Sequence, residues 1–351
     1  MSRGLDARSH SVHEHLEAYA AVVNDALRAA LPEREPYDYL YRLLPEYPAR
    51  GGKRLRPALC IAAAGAFGGD RADAMPTAVA FELLHTAFMV HDDIEDQSTL
   101  RRGRPTIHEQ VGVPLAINVG DALFALSLEQ LEQNFAVLET DLALWVMREF
   151  RETTMETIEG QALELGWQDD AVTRVSASDY VTMVYKKTSW YTSVQPCRIG
   201  AEIGSARSRV PVDHEAITLW GLLVGGLFQV VDDLLNVSGV DPAYGKTTCD
   251  DLIEGKRTLL VTHLLQHDVP DVSSRMSDFL RLPRRARNGE QVAEIVDLMR
   301  TAGSFDYVQS CARCLAKECD AAFERAFGSL HWTPDVDLLA ALPSHLLERT
   351  A

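Results

Sequence analysis

A chain of 351 residues with 46% apolar side chains is long enough to bury a sizeable core. It carries 34 basic and 51 acidic residues, and this net charge of −17 argues against nucleic acid as a partner. Six cysteines in a chain of this length are not the disulfide framework of a small secreted protein. Any site for phosphate must therefore be a local basic cluster or a metal bridge.

The predicted elements are nearly all helices. Apolar residues recur at three- and four-residue spacing in ten segments, namely 11–31, 57–67, 74–97, 115–136, 141–165, 177–204, 212–237, 256–267, 290–302 and 307–327. Glycine and proline cluster between these segments, and alternating strand-like runs are scarce. We therefore predict an all-α fold, with one domain of ten or more helices over 1–351 and a mobile N-terminal arm over 1–10.

The start of the sequence lacks the apolar core of a secretion signal. The longest apolar run, Gly221 to Val231, is much shorter than a segment that crosses a bilayer. We therefore predict a cytoplasmic protein that does not span a membrane.

An acidic stretch, HDDIED, lies near the end of the helix predicted over 74–97. Asp92 and Asp96 are four residues apart and share one helix face, and His85 lies on that face two turns earlier. Four carboxylates packed so closely repel one another unless a cation lies among them. The stretch is therefore either a solvated helix end or a cation site.

A second acidic pair follows an apolar run in FQVVDDLLN, where Asn236 comes four residues after Asp232. Two such clusters with one spacing disfavour a solvated helix end. Clustered carboxylates on rigid helices suit Mg²⁺, which also binds phosphate oxygens. A carboxylate-bridged di-iron bundle would require two Glu-x-x-His motifs on facing helices, and the sequence has one, Glu82 to His85.

Basic residues accompany these acidic motifs. GGKRLRP is a glycine-rich turn with three cations that leads into a helix, a sequence in which backbone and side chains can both approach an anion. Each basic residue alone is most simply a surface ion pair of little energetic value. Their repetition beside carboxylates in an acidic protein indicates a diphosphate site. The candidates are Lys53, Arg54, Arg56, Arg101, Arg102, Lys187, Lys246 and Lys256.

Three cysteines near the C-terminal end are a separate feature. Cys311 and Cys314 form a Cys-x-x-Cys pair, and Cys319 follows five residues later. A zinc site needs about four ligands, and the sequence offers no second pair to complete one. We therefore predict buried thiols on a helix in preference to a metal site.

Taken together, the motifs resemble the trans-isoprenyl diphosphate synthases, the polyprenyl synthetase family. GGKRLRP, HDDIEDQSTLRRGRPT, NVGD, KTS, FQVVDDLLN and GKTTCDDLIEGKRT occur in the family's order from about residue 45 to 265. The resemblance implies an isoprenoid synthase fold, with helices around a central apolar cavity, and a homodimer. It also implies Mg²⁺ as cofactor, with three ions per site when substrate is bound.

The resemblance further implies a reaction. Isopentenyl diphosphate condenses head-to-tail, all-trans, with an allylic diphosphate: dimethylallyl, geranyl or farnesyl diphosphate. Metal ions and cationic side chains draw off the allylic diphosphate, and the double bond of isopentenyl diphosphate attacks the resulting carbocation. A proton is then lost to the departing diphosphate. The protein stabilises charge on the leaving group and keeps water from the cation.

The family's roles are carried over residue by residue. Asp92, Asp96 and Asp232 resemble metal ligands, supported by Asp93 and, through water, by Asp233. Lys53, Arg56, His85 and Arg102 resemble the isopentenyl diphosphate site. Arg101, Lys187, Lys246 and Lys256 resemble the allylic diphosphate site, and Thr188 and Gln229 place oxygens near the carbocation. Two positions depart from the common pattern: Asn236, where many members have Asp, and Cys249, where Gly is frequent.

Product length depends on the side chains one helical turn before Asp92. Ala87 is small and leaves room for a tail, whereas Phe88 is large enough to form a floor. This combination favours the C20 product, geranylgeranyl diphosphate. Farnesyl diphosphate and products of C25 and above remain alternatives.

Two further functions compete with elongation. A class I terpene cyclase shares the fold but lacks an isopentenyl diphosphate site and carries Ser and Glu in its second metal motif, so Lys53, Arg56 and Arg102 argue against it. A non-catalytic regulatory subunit of a heteromeric synthase would lose metal carboxylates, and here both motifs keep their Asp pair.

Overall fold

The computed structural model describes residues 2–238 and 249–349. Its α-helices are α1 (Ser2–Ala30), α2 (Glu46–Ala49), α3 (Leu55–Ala66), α4 (Met75–Glu95), α5 (Ile107–Val111), α6 (Val113–Glu132), α7 (Asn134–Val137), α8 (Thr140–Asp169), α9 (Ala177–Val184), α10 (Gln195–Ser208), α11 (His214–Ser238), α12 (Asp250–Glu254), α13 (Leu259–Leu265), α14 (Pro270–Arg281), α15 (Gly289–Thr301), α16 (Ser304–Phe327) and α17 (Pro334–Glu348). Segments Tyr37–Tyr41 and Tyr185–Val194 are π-helical, and Arg71–Ala74 and Arg284–Ala286 are 3₁₀ turns. Strands β1 (Leu100–Arg101) and β2 (Arg104–Pro105) form an antiparallel hairpin.

The prediction of an all-α fold is confirmed, and each of the ten predicted segments overlaps a helix. The segment predicted over 256–267 starts three residues too early, since α13 begins at Leu259 with Thr258 as its N-cap. The preceding helix, α12, ends with Gly255 as its C-cap, whose φ is +80°. Helices α14 and α17 were not predicted. α14 is mostly polar and buries only a narrow stripe, and α17 contains a proline at position 343, so neither stands out as an apolar repeat.

Helix α1 begins at Ser2, so the backbone of residues 2–10 in the predicted N-terminal arm is helical. The mobility of residues 1–10 stays a prediction.

The chain divides into two compact units. The first comprises Met1–Thr153, Tyr191–Gly221 and Ala322–Leu342. The second comprises Thr154–Trp190, Leu222–Ala321 and Pro343–Ala351. The single domain predicted over 1–351 stays a prediction.

The core of the first unit is built on α3 and α4. Helix α3 is almost entirely apolar and buried, as expected for a helix covered on all sides, and it packs on α4 and α10. Helix α4 packs along α6, where Leu83 and Ala87 join a buried cluster with Val119 and Leu123. The acidic end of α4 therefore extends from a rigid, close-packed support.

In the second unit, α13 packs against α9 and α14, and α14 packs against α15. Helix α11 is long and apolar enough to cross a membrane by length and composition, within the residues that the structure describes. However, 61% of its most apolar window is buried inside the fold, which is the pattern of a core helix. The predicted cytoplasmic location stays a prediction.

Candidate active site

Asp93 is the centre of a buried hydrogen-bond group at the end of α4. The side chain is fully buried and accepts hydrogen bonds from the Tyr47 hydroxyl and from the guanidinium of Arg101, whose Nε lies 3.0 Å from Oδ1. Burial, together with the charge of Asp93, raises the pKa of Tyr47. Because Asp93 is saturated by protein donors, its position agrees with a supporting role next to metal ligands.

Asp92 and Asp96 lie one helical turn apart, as their spacing predicts. The backbone N–H of Asp96 donates to the carbonyl of Asp92 at 2.8 Å and completes the last turn of α4. The Asp92 side chain is 24% exposed and lies 3.5 Å from Arg101 Nη2, whereas Asp96 is buried. Two of the three predicted metal ligands therefore come from the same helix end, next to the Asp93–Arg101 ion pair.

Of the three cations in GGKRLRP, Arg54 has a structural role. Its guanidinium is buried and donates to Glu82 Oε1 at 2.6 Å, to Asn24 Oδ1 at 2.8 Å and to the Pro48 carbonyl at 2.6 Å. Three of its five N–H donors are thus used inside the fold, and the interpretation of Arg54 as a phosphate contact stays a prediction. The same ion pair occupies Glu82 and leaves it unsuited to a di-iron site.

Arg56 and His85 lie together with an aromatic side chain that sequence analysis did not assign, Tyr191. The Arg56 guanidinium lies 4.1 Å from the centre of the Tyr191 ring, and the Tyr191 hydroxyl is 3.5 Å from His85 Nδ1. Burial, followed by the charges of Arg56 and Arg102, lowers the pKa of His85, so its imidazole is neutral at pH 7. These side chains form an electropositive cluster.

Arg102 reaches this cluster from the β1–β2 hairpin. Its guanidinium donates to the carbonyl of Gly51 and lies against Gly52. A Cβ on Gly52 would lie 2.9 Å from Arg102 Nη2, and the φ of Gly52 is +140°, so only glycine fits there. Burial lowers the pKa of Arg102, and the neighbouring Arg54 lowers it further. Lys53, the fourth predicted member, is exposed beside Gly52.

Among the residues that the structure describes, neither Arg56 nor Arg102 is ion-paired with a carboxylate; Arg56 lies on an aromatic ring and Arg102 on a backbone carbonyl. Arg56 is buried and Arg102 is half-buried, so a bound anion would offset the cost of holding two guanidinium groups beside a neutral imidazole. The geometry therefore suits a diphosphate.

In the second unit, Asp233 on α11 is the centre of another buried group. It accepts hydrogen bonds from the Tyr180 hydroxyl at 2.7 Å and from Gln229 Nε2 at 2.8 Å, and Gln229 Oε1 accepts from Thr188 at 2.9 Å. Burial, followed by the charge of Asp251, raises the pKa of Asp233 to about 8. One chain of hydrogen bonds thus joins Tyr180, Asp233, Gln229 and Thr188. It lies next to the partly exposed Asp232.

Thr188 and Lys187 lie in the π-helical segment Tyr185–Val194. This segment passes so close to α8 that a Cβ on Gly160 would overlap the backbone of Lys187. The Lys187 ammonium is ion-paired with Glu164. A π-helical turn is rare and often marks a functional position, which agrees with the predicted role of these residues.

Lys256 lies directly after α12, where its ammonium is 2.8 Å from Glu254 and 3.7 Å from Asp251. The side-chain oxygen of Asn236 accepts from the N–H of Asp251 at 3.3 Å. This hydrogen bond gives Asn236 a structural role at the start of α12, independent of metal. The other predicted allylic-site lysine, Lys246, lies outside the described residues.

The backbone conformation at Cys249 explains why glycine is frequent at this position in the family. Its φ of +67° is in the left-handed region, where a side chain costs about 1–2 kcal/mol. We expect Cys249→Gly to be more stable than Cys249→Ala by about 1 kcal/mol, because both lose the same thiol but only glycine is unstrained. Urea unfolding of the two variants measures the difference. Equal midpoints would contradict a strained backbone at this position.

The C-terminal cysteines are not all buried. Cys319 is buried on α16, but Cys311 is half-buried and Cys314 is exposed, so the prediction of three buried thiols is wrong for Cys314. The three positions spread over more than one face of the helix. Among the described residues, no three His, Cys, Asp or Glu side chains converge as a preformed metal site. Mg²⁺ does not require one, since it binds through one or two carboxylates and substrate phosphates.

Comparison with known proteins decides the family. The family model of the polyprenyl synthetases matches residues 37–299, which is most of the chain. The chain belongs to the polyprenyl synthetase family. This membership agrees with the order of motifs in the sequence and with the helical fold.

Individual relatives of this polyprenyl synthetase chain are similar over nearly their full length. The geranylgeranyl diphosphate synthase of Methanosarcina mazei is 32% identical, covering 93% of this chain and 94% of the relative. The geranylfarnesyl diphosphate synthase of Natronomonas pharaonis is 29% identical, covering 85% and 89%.

Solved structures show the same fold. The geranylgeranyl pyrophosphate synthetase of Pyrococcus horikoshii has a TM-score of 0.84 at 28% identity, covering 97% of this chain and 98% of that one. The geranylgeranyl pyrophosphate synthase of Corynebacterium glutamicum, complexed with isoprenyl diphosphate and magnesium, has a TM-score of 0.79 at 26% identity, covering 98% and 99%. The predicted isoprenoid synthase fold is confirmed.

Proposed function

We propose that this polyprenyl synthetase is a Mg²⁺-dependent prenyltransferase that condenses isopentenyl diphosphate with an allylic diphosphate, head-to-tail and all-trans, to give geranylgeranyl diphosphate. The observation that carries the proposal is the partly buried cluster of Arg56, Arg102 and neutral His85. Such a cluster suits a second, non-allylic diphosphate, which an elongating enzyme needs and a terpene cyclase does not. Similarity to named geranylgeranyl diphosphate synthases supports the product.

Asp92, Asp96 and Asp232 would hold the metal, and carboxylate oxygens fit Mg²⁺. When bound, Mg²⁺ neutralises the charge that develops on a departing diphosphate. The magnesium in the Corynebacterium relative supports a divalent cofactor, and we propose three ions per site. Asp93 would keep the helix end in place through Tyr47 and Arg101.

The cationic side chains would bind the two diphosphates. Arg56 and Arg102, with Lys53 and His85, would bind isopentenyl diphosphate. Lys187, Lys246, Lys256 and Arg101 would bind the allylic diphosphate. Lys187 and Lys256 are now ion-paired with Glu164 and Glu254, so diphosphate binding would exchange one anion for another. Thr188 and Gln229, held by Asp233, would present oxygens to the carbocation.

The proposal is tested by incubating the purified protein with isopentenyl diphosphate, Mg²⁺ and each allylic starter in turn, and by sizing the dephosphorylated products. We expect C20 product, lost on chelation with EDTA and restored by Mg²⁺. Absence of elongation with any starter would defeat the proposal. Hydrocarbon formed without isopentenyl diphosphate would indicate a cyclase, and activity only with an added partner would indicate a regulatory subunit.

Product length provides a sharper prediction. Ala87 is buried in the cluster between α4 and α6, and the half-buried ring of Phe88 packs edge-on against Tyr191 at 5.8 Å. We expect Ala87→Val, Ala87→Leu and Ala87→Phe to shorten the product progressively, and Phe88→Ala to lengthen it. Overpacking at Ala87 costs about 1–3 kcal/mol, so product sizing should be done well below the melting temperature of each variant. Unchanged product length in both series would eliminate this model of the tail site.

We also propose a homodimer. Its support is an exposed apolar stripe on α6 at Val113, Ile117 and Leu128, whose spacing places them along one side of the helix. Sedimentation velocity measures the mass directly, and a monomer at micromolar concentration would contradict the proposal.

A further inference from the structure

Arg50 stands out among the residues that carry no assigned role. Its side chain is only 2% exposed. The guanidinium donates to three backbone carbonyls of the β1–β2 hairpin: those of Arg101 at 3.0 Å, Arg104 at 3.4 Å and Pro105 at 2.9 Å. It also lies 4.7 Å from the centre of the Tyr47 ring and 3.6 Å from Glu46.

The hairpin that Arg50 binds carries two arginines of the candidate site. Arg101 is ion-paired with Asp93, and Arg102 donates to the carbonyl of Gly51. The connection is therefore reciprocal, because Arg50 reaches from the glycine-rich turn to the hairpin and Arg102 reaches back from the hairpin to that turn.

Two physical facts make the hairpin dependent on this connection. Each strand is two residues long, and so small a ladder is not stable by itself. In addition, the guanidinium groups of Arg50, Arg54, Arg101 and Arg102 repel one another, and burial intensifies that repulsion. The hydrogen bonds to three carbonyl oxygens hold the Arg50 guanidinium in place despite this repulsion. They also fix the backbone from which Arg101 and Arg102 project.

We propose that Arg50 is a positioning residue that holds Arg101 and Arg102 in place for the two diphosphates. This inference rests on the proposed function. It predicts that loss of Arg50 weakens the binding of both substrates, whereas loss of a contact residue weakens one. Lysine cannot replace it, because a single ammonium lacks the planar fork that spans three carbonyls.

The test compares Arg50→Ala and Arg50→Lys with Arg104→Ala, which removes an exposed arginine from the same hairpin and leaves its backbone carbonyl in place. KM and kcat are measured with each substrate varied in turn. We expect the KM for isopentenyl diphosphate and the KM for the allylic diphosphate both to rise about 10–100-fold in both Arg50 variants, with little change in Arg104→Ala. A general loss of folded protein would instead lower kcat and leave both KM values unchanged.

A second measurement does not need turnover. Calorimetric titration with inorganic diphosphate and Mg²⁺ should show weaker binding to both Arg50 variants than to wild type and Arg104→Ala. If Arg50→Ala fails to fold, Arg50→Lys still decides: unchanged KM values and unchanged diphosphate affinity overturn the inference. If wild type elongates no starter, the proposed function fails, and the titration alone still tests the role of Arg50.

Discussion

Replacing Asp92 or Asp232 with alanine is expected to abolish elongation while leaving the fold intact. Each carboxylate is partly exposed, Asp92 in the last turn of α4 and Asp232 within α11, so neither is needed for core packing. A metal ion supplies several kcal/mol of charge stabilisation, and a loss of about 4 kcal/mol corresponds to a fall in kcat of about a thousandfold. Steady-state assays at saturating substrate, with circular dichroism as a check on folding, measure the effect.

Glu95 offers a matched control for this prediction. It belongs to the same acidic stretch as Asp92 but is exposed and has no assigned role. We expect Glu95→Ala to keep activity close to that of wild type. Equal losses in Glu95→Ala and Asp92→Ala would mean that the total negative charge of the stretch matters and not a specific ligand, and full activity in Asp92→Ala and Asp232→Ala would refute metal binding by these motifs.

The largest effect on stability is expected at the Arg54–Glu82 ion pair. Both side chains are almost fully buried, and the Nη1–Oε1 distance is 2.6 Å. Arg54→Met would leave the Glu82 carboxylate buried without its counter-charge, which costs about 3–5 kcal/mol. Denaturant unfolding should show this loss, and Glu82→Gln should show a similar one, because it leaves the Arg54 charge buried.

A double variant separates broken pairing from lost packing. In Arg54→Met/Glu82→Leu both charges are absent, so we expect the protein to be more stable than Arg54→Met alone. The exposed pair Arg28–Asp25 serves as a control, since Arg28→Ala removes a solvated ion pair and should change stability little. Additive losses in the double variant would show that the pair contributes as two independent side chains.

Much of the candidate site could be predicted because its motifs are local. The four-residue spacing of Asp92 and Asp96 needs only the period of a helix, and the structure has them one turn apart. The glycine-rich turn before α3 likewise predicted a close approach to its backbone, but of an anion, whereas the group that lies against Gly52 is the Arg102 guanidinium from the hairpin. The tyrosines Tyr47 and Tyr180 gave no such signal, because each binds an aspartate about fifty residues away.

Cys249 and Asn236 also show the difference between what the sequence indicates and what the structure explains. The sequence marked both as departures from the family, and their physical meaning required coordinates. The positive φ of Cys249 explains why glycine is common there, and Asn236 accepts from the Asp251 N–H through its side-chain oxygen, as an aspartate at that position could.

The sequence by itself therefore determined the helical fold, the order of the motifs and the residues that carry charge. Only the tertiary structure decided which of those charges are already neutralised. Arg54, Arg101 and Lys187 are ion-paired with Glu82, Asp93 and Glu164, whereas Arg56 and Arg102 lie on a ring and a carbonyl. The reason is physical: a charge depends on partners within a few ångströms, and Arg54 and Lys187 take theirs from segments more than twenty residues away.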